Sequence, residues 1–102
     1  MLRDLIAKNP LPDDPEASNR ALVTAIQAGE DVDGNKQKLF LQNLRILPYY
    51  WKRFPHFHFS EIEEMQGYLW EAIEKSVSLY DPAKGDFFNY LLAWLRQWMR
   101  RK

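Results

Sequence analysis

Apolar residues recur at three- and four-residue steps along most of the chain, which is the spacing of one buried face of an α-helix. This pattern predicts four helices, over 15–28, 35–54, 60–80 and from 86 to the C-terminus. No stretch alternates apolar and polar residues between turns, as a half-buried strand does. The sequence therefore predicts an all-α fold, a compact bundle of about four helices.

Short polar motifs mark the ends of these helices. Asp14 is suited to cap the first helix, Pro15 to occupy its first position, and Gly29 to end it. Ser60-Glu-Ile-Glu63 is a capping box that opens the third helix. Pro48 lies within the apolar pattern of the second helix and removes a backbone donor, so we expect a kink there.

Prolines and acids dominate the segment before the first helix. Asn9-Pro-Leu-Pro-Asp-Asp-Pro15 indicates an extended lead-in, so we expect residues 1–14 to be extended and 15–102 to form one helical domain. The 102 residues are 46% hydrophobic and include no cysteine, which suits a single domain with a core and excludes a disulfide scaffold. The apolar stretches are too short to span a membrane and the N-terminus does not resemble a signal peptide, so a cytoplasmic domain is the default.

Charge is distributed in alternating blocks although the chain as a whole is neutral. The net charge is −4 over 1–34, +5 over 35–59, −5 over 60–81 and +4 over 82–102. Such blocks indicate separate faces for separate partners, or acidic and basic helices that neutralise each other inside the fold. The charge pattern alone leaves both interpretations open.

The last helix carries more apolar surface than one contact with a core requires. At about 100° per residue, its apolar positions fill an arc of roughly 200°, about twice the width of an ordinary buried stripe. One half of the arc is rich in aliphatic residues: Phe88, Leu91, Leu92, Leu95 and Met99. The other half is aromatic and is flanked by polar and basic residues: Phe87, Tyr90, Trp94 and Trp98, then Gln97 and Arg101, with Arg96 and Arg100 further round.

Aromatic rings beside guanidinium groups are suited to single-stranded nucleic acid, because bases stack on the rings while arginines neutralise phosphates. The alternative is that the tryptophans pack against another helix and the arginines are only solvated. His56 and His58 have no partners at metal-ligand spacing, Ser60 is better explained as a cap, and the glutamates of 60–77 form a solvated face. We therefore expect a binding module with no catalytic site, metal or cofactor.

The order of several short motifs resembles that of bacterial RNA polymerase sigma factors. Asn43-Leu-Arg-Ile-Leu47 is similar to their Asn-Leu-Arg-Leu-Val segment, and Asp81-Pro-Ala-Lys-Gly85 matches their Asp-Pro-x-Lys-Gly turn. Gln66-Gly-Tyr-Leu69 and Glu71-Ala-Ile-Glu-Lys75 are similar to Glu-Gly-Tyr-Leu and Ala-Val-Glu-Lys. Most specific is Phe87-Phe-Asn-Tyr-Leu-Leu-Ala-Trp-Leu-Arg-Gln97, which is similar to Phe-Ser-Thr-Tyr-Ala-x-Trp-Trp-Ile-Arg-Gln. The resemblance covers roughly residues 18–102.

The resemblance implies region 2 of a sigma factor, a helical domain that docks on the clamp helices of the largest polymerase subunit. It also recognises the promoter minus-ten element and holds its non-template strand open. By motif position, Tyr90 would support a flipped base and Trp94 would stand at the junction of duplex and single strand. The implied DNA-binding residues are Phe87, Tyr90, Trp94, Arg96, Gln97, Arg100 and Arg101, and the implied polymerase-binding residues are Glu64, Gln66, Glu71 and Glu74. An anti-sigma regulator is a further partner compatible with the resemblance.

Three features depart from the family pattern. Ala93 precedes Trp94 where the family often has a second tryptophan, Asp86 occupies a position that is often basic, and four extra residues separate Lys75 from Tyr80. The zero net charge, Ala93 and Asp86 favour a second hypothesis, a protein-interaction domain that regulates polymerase without recognising promoters. An enzyme built on the glutamates is disfavoured because no residues converge for it.

Overall fold

Helices account for most of the computed structural model, which describes residues 2–53 and 65–100, with side chains described for 2–49 and 65–97. In these two ranges the helices are α1 (Leu2–Lys8), α2 (Pro15–Gln27), α3 (Val32–Gln42), α4 (Ile46–Arg53), α5 (Gln66–Leu79) and α6 (Phe87–Arg100), with a 3₁₀ turn over Pro82–Lys84. Neither range contains a strand. The predicted all-α fold is confirmed.

Helix α2 has the ends that its sequence predicts. The Asp14 side chain accepts a hydrogen bond from the Ala17 amide at 3.1 Å, and Pro15 is the first helical residue. After the helix, Gly29 adopts a φ of 79°, a conformation that a side chain would strain. The local signals of this helix were therefore sufficient to define it.

The second predicted helix, 35–54, is wrong as a single unit, because the chain forms α3 and α4 with a turn between them. Asn43 ends α3, and its amide is shared between the carbonyls of Leu39 and Phe40. The break precedes Pro48, which is the third residue of α4. The first amides of a helix have no partner within it, so proline at that position costs no hydrogen bond and no kink is needed. Helix α3 also begins earlier than expected, at Val32.

The N-terminal segment is the other correction. The sequence predicts that residues 1–14 are extended, but Leu2–Lys8 form helix α1. The first residue of α1, Leu2, is completely buried. A seven-residue helix is unstable alone, so tertiary packing and not local sequence explains its formation.

The third predicted helix, over 60–80, is confirmed in part. Helix α5 covers Gln66–Leu79 of it, but Met65 is a turn residue and Tyr80 follows the last helical residue, while the capping box at 60–63 lies outside the described residues. In the turn that follows, the Asp81 side chain accepts from the Ala83 amide at 3.0 Å, and Gly85 has a φ of 100°. The Tyr80 hydroxyl donates to the Gly85 carbonyl at 2.7 Å, which fastens this turn to the end of α5.

One apolar core joins the helices. Helix α2 packs mainly on α3 and α5 mainly on α6, while α3 also contacts α5. The Gln27 side-chain amide donates to the carbonyls of Val77 and Tyr80 at 3.0 and 2.9 Å, which links the ends of α2 and α5. The large aliphatic residues that are completely buried come from α1, α3, α4, α5, α6 and their links: Leu2, Leu39, Leu44, Ile46, Leu47, Leu69, Ile73, Leu91 and Leu95.

Candidate nucleic-acid interface

Two carboxylates position the first turn of α6, the helix that carries the candidate site. Asp86 accepts from the Asn89 amide at 2.8 Å and so caps the helix from its own chain. Glu16, at the start of α2, accepts from the Phe87 amide at 3.1 Å. The same Glu16 carboxylate binds Arg20 at 2.6 Å, and this hydrogen bond is the largest cause of the raised pKa of Arg20. Helix α6 therefore starts at a fixed point against α2.

The aliphatic half of α6 lies in the core, as predicted. Leu91 and Leu95 are completely buried and Leu92 is nearly so, while Phe88 is half-buried against the ring of Tyr49. The side chain of Met99 lies outside the described residues. This row fixes which side of α6 faces away from the bundle.

Phe87 is a correction to the predicted aromatic half. Its side chain is completely buried and packs edge-to-face on Tyr80, with the ring centroids 5.3 Å apart and the planes at 89°. Phe87 is the first residue of α6, so its ring lies beside Tyr80 at the start of the preceding turn. A helical wheel shows only the residues of one helix and therefore could not predict this contact. Phe87 is a core residue in this structure and cannot present its ring to a base.

Tyr90 and Trp94 occupy the border between core and solvent. Both are half-buried and pack against the core cluster with part of their surface. The Tyr90 ring lies 5.5 Å from that of Tyr80 at an angle of 50°. They lie four residues apart, and so on one side of α6. The side chain of Trp98, the next aromatic residue along, lies outside the described residues.

Lys84 belongs to this site although sequence reasoning did not select it. Its ammonium lies 5.4 Å from the centroid of the Tyr90 ring and donates to the Leu79 carbonyl at 3.2 Å. A cation over a tyrosine ring is attracted by the electron-rich face. The sequence does show a lysine in the Asp81–Gly85 turn. Its distance from Tyr90 depends on how that turn folds back on α6, which the sequence does not reveal.

The solvent side of α6 is polar. Asn89, Ala93, Arg96 and Gln97 are exposed, so Arg96 and Gln97 lie where the helical wheel placed them. Arg100 is the last described residue of α6. The side chain of Arg100 and the whole of Arg101 lie outside the part of the chain that the structure describes. The described cations are therefore Lys84 and Arg96, and they lie on different sides of α6. Lys84 lies against the Tyr90 ring, whereas Arg96, two residues beyond Trp94, is exposed on nearly the opposite side of the helix.

A cleft of about 340 Å³ opens at the start of α6. Its apolar walls include Leu11, Ile46 and Phe88, and its acidic residues are Asp14, Glu16 and Asp86. All three carboxylates bind backbone amides at helix starts, which is where the helix dipole favours negative charge. This end of α6 is therefore acidic, while Tyr90 and Trp94 make the middle of one side aromatic.

The predicted polymerase-binding face lies on α5. Glu71 and Glu74 are exposed and Gln66 is half-buried, while Glu64 lies outside the described residues. Glu74 lies 3.9 Å from Lys36 of α3, so an acidic and a basic block of the sequence meet at this point. Such a long, exposed pair contributes little stability and leaves the acidic face of α5 accessible.

Neither metal binding nor a membrane span finds support in the described residues. Within 2–53 and 65–100, no three of the His, Cys, Asp or Glu side chains are grouped to hold a metal ion. His56 and His58 lie outside those ranges. None of the described helices is both long enough and apolar enough to cross a membrane.

Comparison with known proteins gives no match to any family model, any curated protein or any solved structure. The resemblance to sigma factors therefore rests on the short motifs of the sequence.

Proposed function

We propose that this chain is a transcription-initiation module of the sigma region 2 type. It binds core RNA polymerase through α5 and the non-template strand of an opened minus-ten element through α6. The observation that carries this proposal is the division of α6. Leu91 and Leu95 are completely buried, while Tyr90 and Trp94 remain half-buried at the border with solvent, with the Lys84 ammonium over the Tyr90 ring. Arg96 is exposed further round the helix.

The chemistry of single strands matches this arrangement. An unstacked base gains about 1–3 kcal/mol by stacking on an aromatic ring, and nearby cations neutralise the phosphates that flank it. Tyr90 and Trp94 are held on one side by the core, so a base would meet rings that are already positioned. Gln97 is exposed on the neighbouring turn and offers an amide to a base edge.

In this proposal Lys84 has two positions. In the free protein its ammonium lies over the Tyr90 ring, which is the surface that a base would use. A base that stacks on Tyr90 displaces the ammonium, which then lies within reach of the adjacent phosphate. The exposed cation–π contact is worth only about 0.5–1 kcal/mol, so this exchange is inexpensive.

Binding to a labelled single-stranded oligonucleotide of about 12 nucleotides, in the presence of core polymerase, tests the proposal. We expect Tyr90→Ala and Trp94→Ala each to weaken binding at least about fivefold, the lower end of a lost stacking contact. Tyr90→Phe keeps the ring and should retain affinity. Thr24→Ala is the control, because Thr24 is exposed on α2, which carries neither of the two proposed surfaces. Unchanged binding by both alanine variants would refute the assignment.

The second candidate is an interaction domain that binds polymerase but not DNA. The acidic start of α6 and the burial of Phe87 favour it, since both reduce the surface that attracts nucleic acid. It predicts that the unaltered chain is retained by immobilised polymerase and yet binds neither single nor double strands. In both hypotheses Glu71→Lys together with Glu74→Lys should weaken retention by polymerase.

A further inference from the structure

Tyr80 lies where the end of α5, the following turn and the start of α6 meet. It follows the last residue of α5, and only 6% of its surface is exposed. Its carbonyl accepts from the Gln27 side chain of α2 at 2.9 Å, and its hydroxyl donates to the Gly85 carbonyl at 2.7 Å. Hydrogen bonds therefore fix this residue both at its backbone and at the far end of its ring.

Two side chains of α2 support the same place. The Glu16 carboxylate is the main cause of the raised pKa of Arg20, and the Tyr80 phenol also interacts with this guanidinium and raises that pKa further. The same Glu16 carboxylate accepts from the Phe87 amide at 3.1 Å. Tyr80 and the first residue of α6 are therefore attached to one pair of side chains on α2.

The Tyr80 ring is the buried support of the Tyr90 ring. Their centroids are 5.5 Å apart, and the core cluster against which Tyr90 packs includes Tyr80 itself. The Lys84 ammonium is a second neighbour of the Tyr90 ring, 5.4 Å from its centroid. Lys84 is exposed and carries its charge on a flexible chain, whereas Tyr80 is hydrogen-bonded and buried. Of these two neighbours, Tyr80 is the one that restricts the orientation of Tyr90.

The orientation of Tyr90 matters because a base stacks on the face of a ring. A half-buried side chain without a fixed neighbour occupies several rotamers, and binding must then select one of them. Ordering such a side chain opposes association, whereas a ring that is already ordered in the free protein avoids this cost. A residue beside the ring can therefore raise affinity without touching the ligand.

We propose that Tyr80 is the positioning residue of the single-strand site, which holds the Tyr90 ring in the orientation in which a base stacks on it. This inference rests on the proposed function and adds to it the residue that orders the site before binding. Through Arg20 and Glu16, helix α2 takes part in that ordering. Within the described residues Tyr80 has no ring contact with Trp94, so the contribution of Trp94 should not depend on Tyr80.

Affinity for the labelled single strand, with core polymerase present, tests this role. Tyr80→Leu keeps an apolar side chain but removes the ring, and we expect it to weaken binding about two- to tenfold, the cost of ordering one side chain on binding. Tyr80→Phe keeps the ring and should retain affinity. Ile73→Val, which shortens another buried side chain of α5, is the control for lost stability and should also retain affinity. Equal losses for Tyr80→Leu and Tyr80→Phe would assign the effect to the hydroxyl and overturn the role of the ring.

A double-mutant cycle separates positioning from a general loss of stability. Once Tyr90→Ala has removed the stacking ring, adding Tyr80→Leu should weaken binding no further, because Tyr80 acts through Tyr90. In a Trp94→Ala background, Tyr80→Leu should keep its full effect. A loss of equal size in the Tyr90→Ala background would mean that Tyr80 supports α6 as a whole, and it would overturn the proposal.

Three-bond couplings about the Cα–Cβ bond of Tyr90 test the same inference without nucleic acid. By NMR, the unaltered free chain should show one χ1 rotamer, and Tyr80→Leu should show an average of several. Averaging in the unaltered chain would overturn the proposal, even if Tyr80→Leu did not fold. An unaltered chain that has one rotamer but binds no single strand would refute the proposed function, and with it the role of Tyr80 in binding. Where Tyr90→Ala weakens binding and Tyr80→Leu does not, only the positioning role fails.

Discussion

The α2–α3 and α5–α6 junctions share one apolar core but differ in what they add to it. Between α2 and the end of α3, side-chain amides bind one another: Asn19 Oδ1 accepts from Gln42 at 2.7 Å and from Asn43 at 2.9 Å. Between α5 and α6 the contacts are apolar, and Tyr80 and Phe87 meet edge-to-face. The hydrogen bonds of the α2–α3 junction are directional, whereas the apolar contacts of the α5–α6 junction are not.

This difference explains where the candidate site lies. Hydrogen-bonded amides fix one register, because each donor and acceptor must meet its partner. The free energy of apolar packing depends on the area that is buried and not on direction. A helix with a wide apolar arc therefore buries only the part of the arc that neighbouring helices cover, and the remaining apolar side chains lie at the border between core and solvent. Tyr90 and Trp94 are that remainder in the described part of α6. The proposed function depends on the apolar junction.

The largest expected effect comes from emptying the apolar junction. Phe87→Ala should lower the free energy of unfolding by about 3–5 kcal/mol, because it removes a completely buried ring and leaves a cavity. Urea denaturation measures the change. Leu79→Ala, at a half-exposed position on α5, should change stability by less than about 0.5 kcal/mol. A loss below about 1 kcal/mol for Phe87→Ala would show that the ring is not held in the core.

The next effect tests the polar junction. Asn43→Ala should cost about 1–3 kcal/mol, because the buried Asn19 amide then loses a partner. With Asn19→Ala added, the two losses should be less than additive, by a coupling of about 0.5–3 kcal/mol. A double-mutant cycle by denaturation measures this coupling. Strict additivity would mean that the two amides do not act together.

A smaller effect is expected where the two junctions meet, at the start of α6. Asp86→Ala should lower the free energy of unfolding by about 1 kcal/mol through loss of the cap on Asn89. Asp86→Asn retains the cap and should be nearly neutral. Thermal denaturation of the three proteins distinguishes the two outcomes. Equal losses for both variants would point to the charge rather than the cap.

Lys84 should have the smallest effect on stability. Lys84→Met should change the free energy of unfolding by less than about 0.5 kcal/mol, because its contacts are exposed. If Lys84 moves to a phosphate on binding, the dependence of single-strand affinity on salt should weaken by about 0.7 in log–log slope. Lys38→Met, at an exposed position on α3, is the control. An unaltered slope would remove Lys84 from the site while leaving Tyr90 and Trp94 in it.

The sequence by itself determined the helical class, the bounds of α2 and the start of α6. Helix caps such as Asp14 and Asp86 bind amides within four residues of themselves in the chain. Helix starts of this kind can therefore be predicted from the local sequence. It also determined the buried row of α6, since helical spacing groups the residues of one face.

Only the tertiary structure decided what covers each face. The break at Asn43 needs Asn19, the burial of Phe87 needs Tyr80, and the place of Lys84 needs the fold of its turn. Helix α1 forms where Leu2 enters the core and where the guanidinium of Arg45, far away in the sequence, donates to the Asn9 carbonyl at 3.1 Å. Periodicity predicts which residues share a side of a helix, but the neighbour that meets that side comes from elsewhere in the chain.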